Sequence, residues 1–148
     1  MKTLPVLACL ALAACTKEPA KSAPAEAANN YTVNIAAHAP YAAGQEASAL
    51  ITVTAAPGLH VNPEYPVAFK PEGSEAVKFG DERVRLTAGT KTPCADKAED
   101  ACRVEFPLPL TPEKAGAAKV AGVLAFSVCS PEKCLIEKVP LTLAIAVE

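Results

Sequence analysis

Cys129 and Cys134 enclose Ser130-Pro131-Glu132-Lys133 and stand between two runs in which apolar and polar residues alternate. Ser followed by Pro suits the first two positions of a type I turn. If that turn closes a hairpin, the two Cβ atoms face each other across neighbouring strands, at a separation a disulfide can bridge. Such a pair supports two chemistries. Thiol-disulfide exchange needs a thiolate, an accessible sulfur and a second cysteine to resolve the mixed disulfide, and a hairpin tip offers access and resolution together. Lys133 next to Cys134 favours the thiolate, while Glu132 opposes it. An inert staple is the other reading, since closing six residues stabilises a fold by about 2 kcal/mol in the chain-entropy treatment. Spacing alone leaves both open.

The compartment follows from the N-terminus. Met1-Lys2 is a minimal basic start, and residues 3–11 are mostly apolar but too few to span a bilayer. Leu12-Ala13-Ala14-Cys15 matches a bacterial lipobox, in which the cysteine is lipidated and becomes the mature N-terminus. Residues 1–14 are therefore expected to be a lipoprotein signal peptide that carries Cys9 away with it, and Cys15 the lipid attachment point. Thr16 takes the place where Asp would retain the protein at the inner membrane, so a lipid anchor in the outer membrane, on its periplasmic face, is expected. Oxidised cysteines persist in that compartment. Of the six cysteines, Cys94, Cys102, Cys129 and Cys134 remain. Four allow three connectivities, of which the local one, Cys94 with Cys102 and Cys129 with Cys134, is expected.

Other chemistries find less support. His38 and His60 are the only histidines, and neither stands at the spacing from the cysteines that structural zinc sites use, so no metal is expected. His60 reads as a hydrogen-bonded residue beside a turn, with Asn62-Pro63 bending the chain after it. Ser127 and Ser130 lack the Gly-x-Ser-x-Gly elbow of a hydrolase. Asp96, Glu99 and Asp100 read as a solvated acidic tip of the loop from Cys94 to Cys102. No cofactor motif is present, and none is expected. The net charge of −2, without a basic cluster and with only three tyrosines and four phenylalanines, argues against nucleic-acid binding.

The elements that must position the cysteines have a period of two. Val33, Ile35 and Ala37 alternate with more polar neighbours, as do Ala49, Ile51, Val53 and Ala55. Similar runs cover residues 66–70, 83–87, 103–110, 118–128 and 135–147, and Gly and Pro punctuate them at Pro57-Gly58, Pro71-Glu72-Gly73, Ala88-Gly89, Thr111-Pro112 and Ser130-Pro131. No stretch has helical spacing with caps. Fourteen prolines would break helices but fit strand edges and turns. An all-β, immunoglobulin-like sandwich of about seven strands is expected over residues 31–148. Residues 15–30, rich in Ala, Pro, Lys and Glu, are expected to be a disordered tether behind the lipidated cysteine.

Phe126-Ser127-Val128-Cys129-Ser130-Pro131-Glu132-Lys133-Cys134-Leu135 resembles the cysteine hairpin of the periplasmic N-terminal domain of the thiol:disulfide interchange protein DsbD. Pro57-Gly58-Leu59-His60-Val61-Asn62-Pro63-Glu64-Tyr65-Pro66 resembles that family's strand-and-turn segment upstream of it. The resemblance spans residues 31–147. It implies an immunoglobulin-like domain in which Cys129 and Cys134 are the redox pair, taking reducing equivalents from a membrane electron-carrier protein and passing them to thioredoxin-like or oxidised envelope proteins. Three departures qualify it. The chain ends at Glu148, without the family's membrane and thioredoxin domains. Leu135-Ile136-Glu137 follows the second cysteine where relatives carry Pro-Pro, and residues 92–102, with no aromatic, replace an aromatic cap loop. The competing expectation is a non-catalytic binding or scaffold lipoprotein of the same fold, held by two structural disulfides.

Overall fold

The computed structural model describes residues 26–148 apart from 29 and 39; the expected signal segment, Cys9 and the expected lipid attachment point Cys15 lie outside the described residues. All regular structure among these residues is β, in eleven strands paired antiparallel. Seven are the runs expected from alternation: β2 (Tyr31–Ala37), β3 (Ala47–Ala55), β5 (Val67–Pro71), β7 (Val84–Leu86), β9 (Ala101–Pro112), β10 (Gly116–Cys129) and β11 (Cys134–Val147). The other four are β1 (Glu26–Ala28), β4 (His60–Val61), β6 (Val77–Lys78) and β8 (Lys91–Pro93), each two or three residues long. β1 corrects the tether boundary. Its register with β2, from Glu26 opposite Val33 to Ala28 opposite Tyr31, starts the pairing before residue 31.

Two layers follow from the pairings. β2, β3 and β9 form one, and β11, β10, β5 and β7 the other. In immunoglobulin lettering these are A-B-E facing G-F-C with a further strand beside C, so the expected class stands on topology alone. Side chains at alternate positions meet between the layers: Val33, Ile35, Ile51, Val53, Val104, Phe106 and Leu108 from the first, and Phe69, Leu124, Phe126 and Leu143 from the second, all fully buried. Tyr31 stands edge-on to Phe126, ring centroids 5.0 Å apart, and ties the start of β2 to the second layer. Along β11 the alternation is complete, Val139, Leu141, Leu143, Ile145 and Val147 buried and the residues between them exposed.

Two sequence details have local causes. Gly122 on β10 leaves room that no other residue would leave, since a Cβ there would sit 2.5 Å from the Phe69 ring and 2.4 Å from the Lys70 carbonyl oxygen. Pro107 and Pro109 interrupt neither layer. They lie in the stretch of β9 between its pairings with β8, which end at Val104, and with β6, which begin at Thr111, so the missing N–H groups fall where β9 has an edge.

β4 has the most consequence for the cysteines. Val61 pairs with Ala101 on β9 and with Val128 on β10, and His60 pairs with Cys129. Two residues thus bridge the layers at one end, turning them into a continuous ladder from β1 to β7.

Candidate functional site

β10 and β11 run together from Gly116 opposite Val147 to Cys129 opposite Cys134, and the four residues between the cysteines make the turn. Ser130 N donates to Lys133 O at 2.8 Å, which makes Ser130 and Lys133 the last hydrogen-bonded pair. Cys129 and Cys134 are then the adjacent non-hydrogen-bonded pair, where side chains come closest. Their Cα atoms are 4.0 Å apart and their sulfurs are bonded. Pro131 and Glu132 both keep negative φ, so the turn lacks the positive-φ geometry that matches strand twist in most two-residue hairpins. The Ser130 hydroxyl compensates. Its Oγ accepts from Glu132 N at 3.3 Å and Lys133 N at 3.2 Å, satisfying donors that the turn leaves over.

The two ends of this disulfide differ in environment. Cys129 is 3% exposed, because β10 is an interior strand flanked by β11 on one side and β4 and β5 on the other. Cys134 begins the outer strand β11 and is exposed. A thiol arriving from solution would thus meet Cys134 before Cys129. Ile136, two residues on and on the same side of β11, is 60% exposed and gives that approach an apolar border.

Ser127 shares the outer face of β10 with Cys129 and is the one buried polar residue among those described, with its Oγ 3.9 Å from Cys129 Sγ. The backbone around it is held from the other side. Asn62 N donates to Ser127 O at 3.0 Å, while Asn62 Oδ1 accepts from Glu64 N and Tyr65 N, so the Asn62-Pro63 bend expected from the sequence lies against β10 beside the disulfide.

The second disulfide joins Cys94 to Cys102, giving the expected local connectivity, and it belongs to the same end of the molecule. Thr92 pairs with Arg103 and Pro93 with Ala101, so Cys102 is the extra residue of a bulge in β9. The sulfurs of Cys94 and Cys102 lie 4.0 and 3.7 Å from the carbonyl oxygen of Leu59, the residue before His60. Of the acidic tip expected in the loop between them, Asp96 and Glu99 are exposed, but Asp100 is partly buried. Cys94 N donates to Asp100 O at 2.9 Å, and the Asp100 carboxylate turns inward to His60 Nδ1 at 3.5 Å, with Lys97 Nζ at 3.9 Å. Asp100 is the residue that sequence reasoning misassigned, because its partner is forty positions away and only the fold brings the two together. The expectation for His60 is a hydrogen-bonded residue beside a turn. It does pair with Asp100, but as a member of β4, directly opposite Cys129.

No protein-family model matches this chain, and no curated protein matches it. Among solved structures, it is similar to the crystal structure of AggA, the major subunit of aggregative adherence fimbriae type I from Escherichia coli, at 11% identity and a TM-score of 0.37, over 82% of this chain and 98% of that one. So distant a likeness does not bear on function.

Proposed function

We propose that this chain is an envelope lipoprotein, anchored through Cys15 on the periplasmic face of the outer membrane, whose Cys129–Cys134 disulfide exchanges with thiols of a partner protein. The observation that carries this reading is the asymmetry of the bridge: an exposed cysteine at the start of β11, backed by a buried one on β10. Exchange uses that asymmetry directly. A thiolate of a donor dithiol attacks Cys134 Sγ; the donor–Cys134 bond forms as the bond to Cys129 breaks, and the electron pair leaves on Cys129 Sγ. The donor's second thiol then displaces Cys134, so the donor ends as a disulfide and Cys129 and Cys134 as thiols, two electrons and two protons having passed across. Running the same steps against an oxidised protein returns the pair to a disulfide. The resemblance to the DsbD N-terminal domain, the fold class and the cysteine hairpin agree with this assignment, and a thioredoxin-like protein or a membrane electron carrier is the matching partner class.

Trapping tests it. Cys129→Ala keeps the sulfur that is attacked and removes the one that resolves, so it is expected to accumulate a mixed disulfide with the partner in cells, whereas Cys134→Ala is not. The potential of the bridge should lie above the range of about −300 mV and lower that is typical of structural disulfides, measured against a dithiothreitol or glutathione series. A potential in the structural range, with nothing trapped on Cys134, would leave the scaffold reading in its place.

A further inference from the structure

His60 lies between the two disulfides. Being directly opposite Cys129 in the β4–β10 register, it projects from the same face of the sheet, where paired residues have Cβ atoms about 4.5–5.5 Å apart. Burial agrees with that face: the next pair, Val61 and Val128, is 0% and 1% exposed in the core, while the His60 side chain keeps 25% of its surface. On the other side, Leu59 O touches both sulfurs of Cys94–Cys102, and the loop that this bridge closes delivers Asp100 to His60 Nδ1 at 3.5 Å. Nε2 has no hydrogen-bond partner among the described residues. The two disulfides cannot trade bonds directly, because two strand spacings of about 4.8 Å separate the outer strands of the β9–β4–β10 row, beyond the Cα separation a disulfide spans.

We infer that His60 is the group that receives the Cys129 thiolate when the bridge opens, and that Asp100, fixed by the Cys94–Cys102 loop, is its positioning residue. The inference rests on the exchange reading above and deepens it. Attack on Cys134 puts the departing electron pair on a sulfur that is 3% exposed, where water cannot solvate the charge well. An imidazolium across the strand pair offers that charge a counter-ion and a proton: Nε2–H passes its proton to Cys129 Sγ as the thiol forms, and the imidazole takes it back when Cys129 attacks to close the bridge. The Asp100 carboxylate at Nδ1 fixes the ring so that the other nitrogen is the one presented. Ser127 adds a hydroxyl 3.9 Å from the same sulfur, a weak contact with a disulfide and a stronger one with a thiolate. The Cys94–Cys102 bridge, without an aromatic cap, would on this account orient rather than shield. Other charges at this end are Lys97 at Asp100, Asp96 and Glu99 in the same loop, Arg103 after Cys102, Glu64 after β4, and Glu132 and Lys133 at the tip.

The test reads the thiolate itself. In the full chain carrying Cys9→Ser, Cys15→Ser and Cys134→Ser, Cys129 is the single free thiol, and its thiolate absorbance near 240 nm at neutral pH measures the charge on that sulfur. Adding His60→Gln is expected to lower the thiolate-to-thiol ratio on the order of tenfold, a change equivalent to about 1.4 kcal/mol; adding Asp100→Asn should lower it several-fold, with the far-ultraviolet circular dichroism of the parent retained in both. An unchanged ratio in the two folded variants overturns the inference. That result is separable from failure of the exchange reading, which is decided by trapping on Cys134 and by the potential of the unsubstituted bridge. If His60→Gln alone disrupts the fold, Asp100→Asn decides: its side chain is three-quarters covered and keeps its shape in the amide, so an unchanged ratio there also counts against the assignment.

Discussion

Exchange requires a domain that is folded with its Cys129–Cys134 bridge either open or closed, and this can be checked with the double variant Cys129→Ala/Cys134→Ala. The bridge closes six residues, so its loss should cost about 2 kcal/mol in the chain-entropy treatment. Structure argues against a larger penalty. Of the fourteen residue pairs between β10 and β11, thirteen remain without the cysteines, and the Ser130 hydroxyl still organises the turn. Domains of ordinary stability exceed this loss several times over, so the variant should stay folded, with its folded-to-unfolded ratio reduced on the order of thirtyfold. Urea unfolding followed by far-ultraviolet circular dichroism suits a chain without tryptophan. The midpoint should fall while the m-value holds. The companion variant Cys94→Ala/Cys102→Ala opens a nine-residue loop and should lose roughly 2.6 kcal/mol, plus whatever the Asp100 contact with His60 contributes. The reasoning would be refuted by a Cys129→Ala/Cys134→Ala chain that no longer unfolds cooperatively: the bridge would then be a staple, and a protein that opened it in each cycle would not survive the cycle.

Two further outcomes test the fold around the site. Gly122→Ala forces a methyl against the Lys70 carbonyl and the Phe69 ring, and because the first contact is backbone, β5 must move; a loss of about 1–3 kcal/mol or more in the same urea experiment is expected, eased in a Phe69→Leu background. Tyr41 is buried with its hydroxyl donating to Ser48 O at 2.9 Å, and burial raises its phenol pKa above the ordinary value of 10.0, with the His38 backbone hydrogen bond opposing. The unfolded chain then ionises first, so this contribution is complete below pH 10 and is lost as pH rises through the folded pKa; Tyr41→Phe should flatten the decline of thermal midpoint with pH above 10.

How much of this was legible depended on whether a residue's environment is set by its neighbours in sequence. β11 was readable because one face packs and the other is wet, so every second residue from Val139 to Val147 reports its side. The local disulfide pairings were readable for the same reason, each closing a short loop. β4 was not. His60 and Val61 are a strand only because Ala101, Val128 and Cys129 arrive from distant segments on either side of them. The unequal exposure of Cys129 and Cys134 was equally hidden, since both share one face of one hairpin and differ only in that β10 has neighbours on both edges while β11 is an outer strand. β1 escaped notice because three residues rich in alanine carry no alternation to read.

The two-residue clasp made by His60 and Val61 also decides how another protein can approach. An open sandwich presents bare N–H and C=O groups along the seam between its layers, which invite a visitor to lengthen a sheet. Here the facing edges of β9 and β10 are already satisfied by β4 where the disulfides lie. A partner therefore cannot enter through the seam as an added strand. The approaches left open are over the face of the sheet or along β11, where the exposed Ile136 side chain borders Cys134.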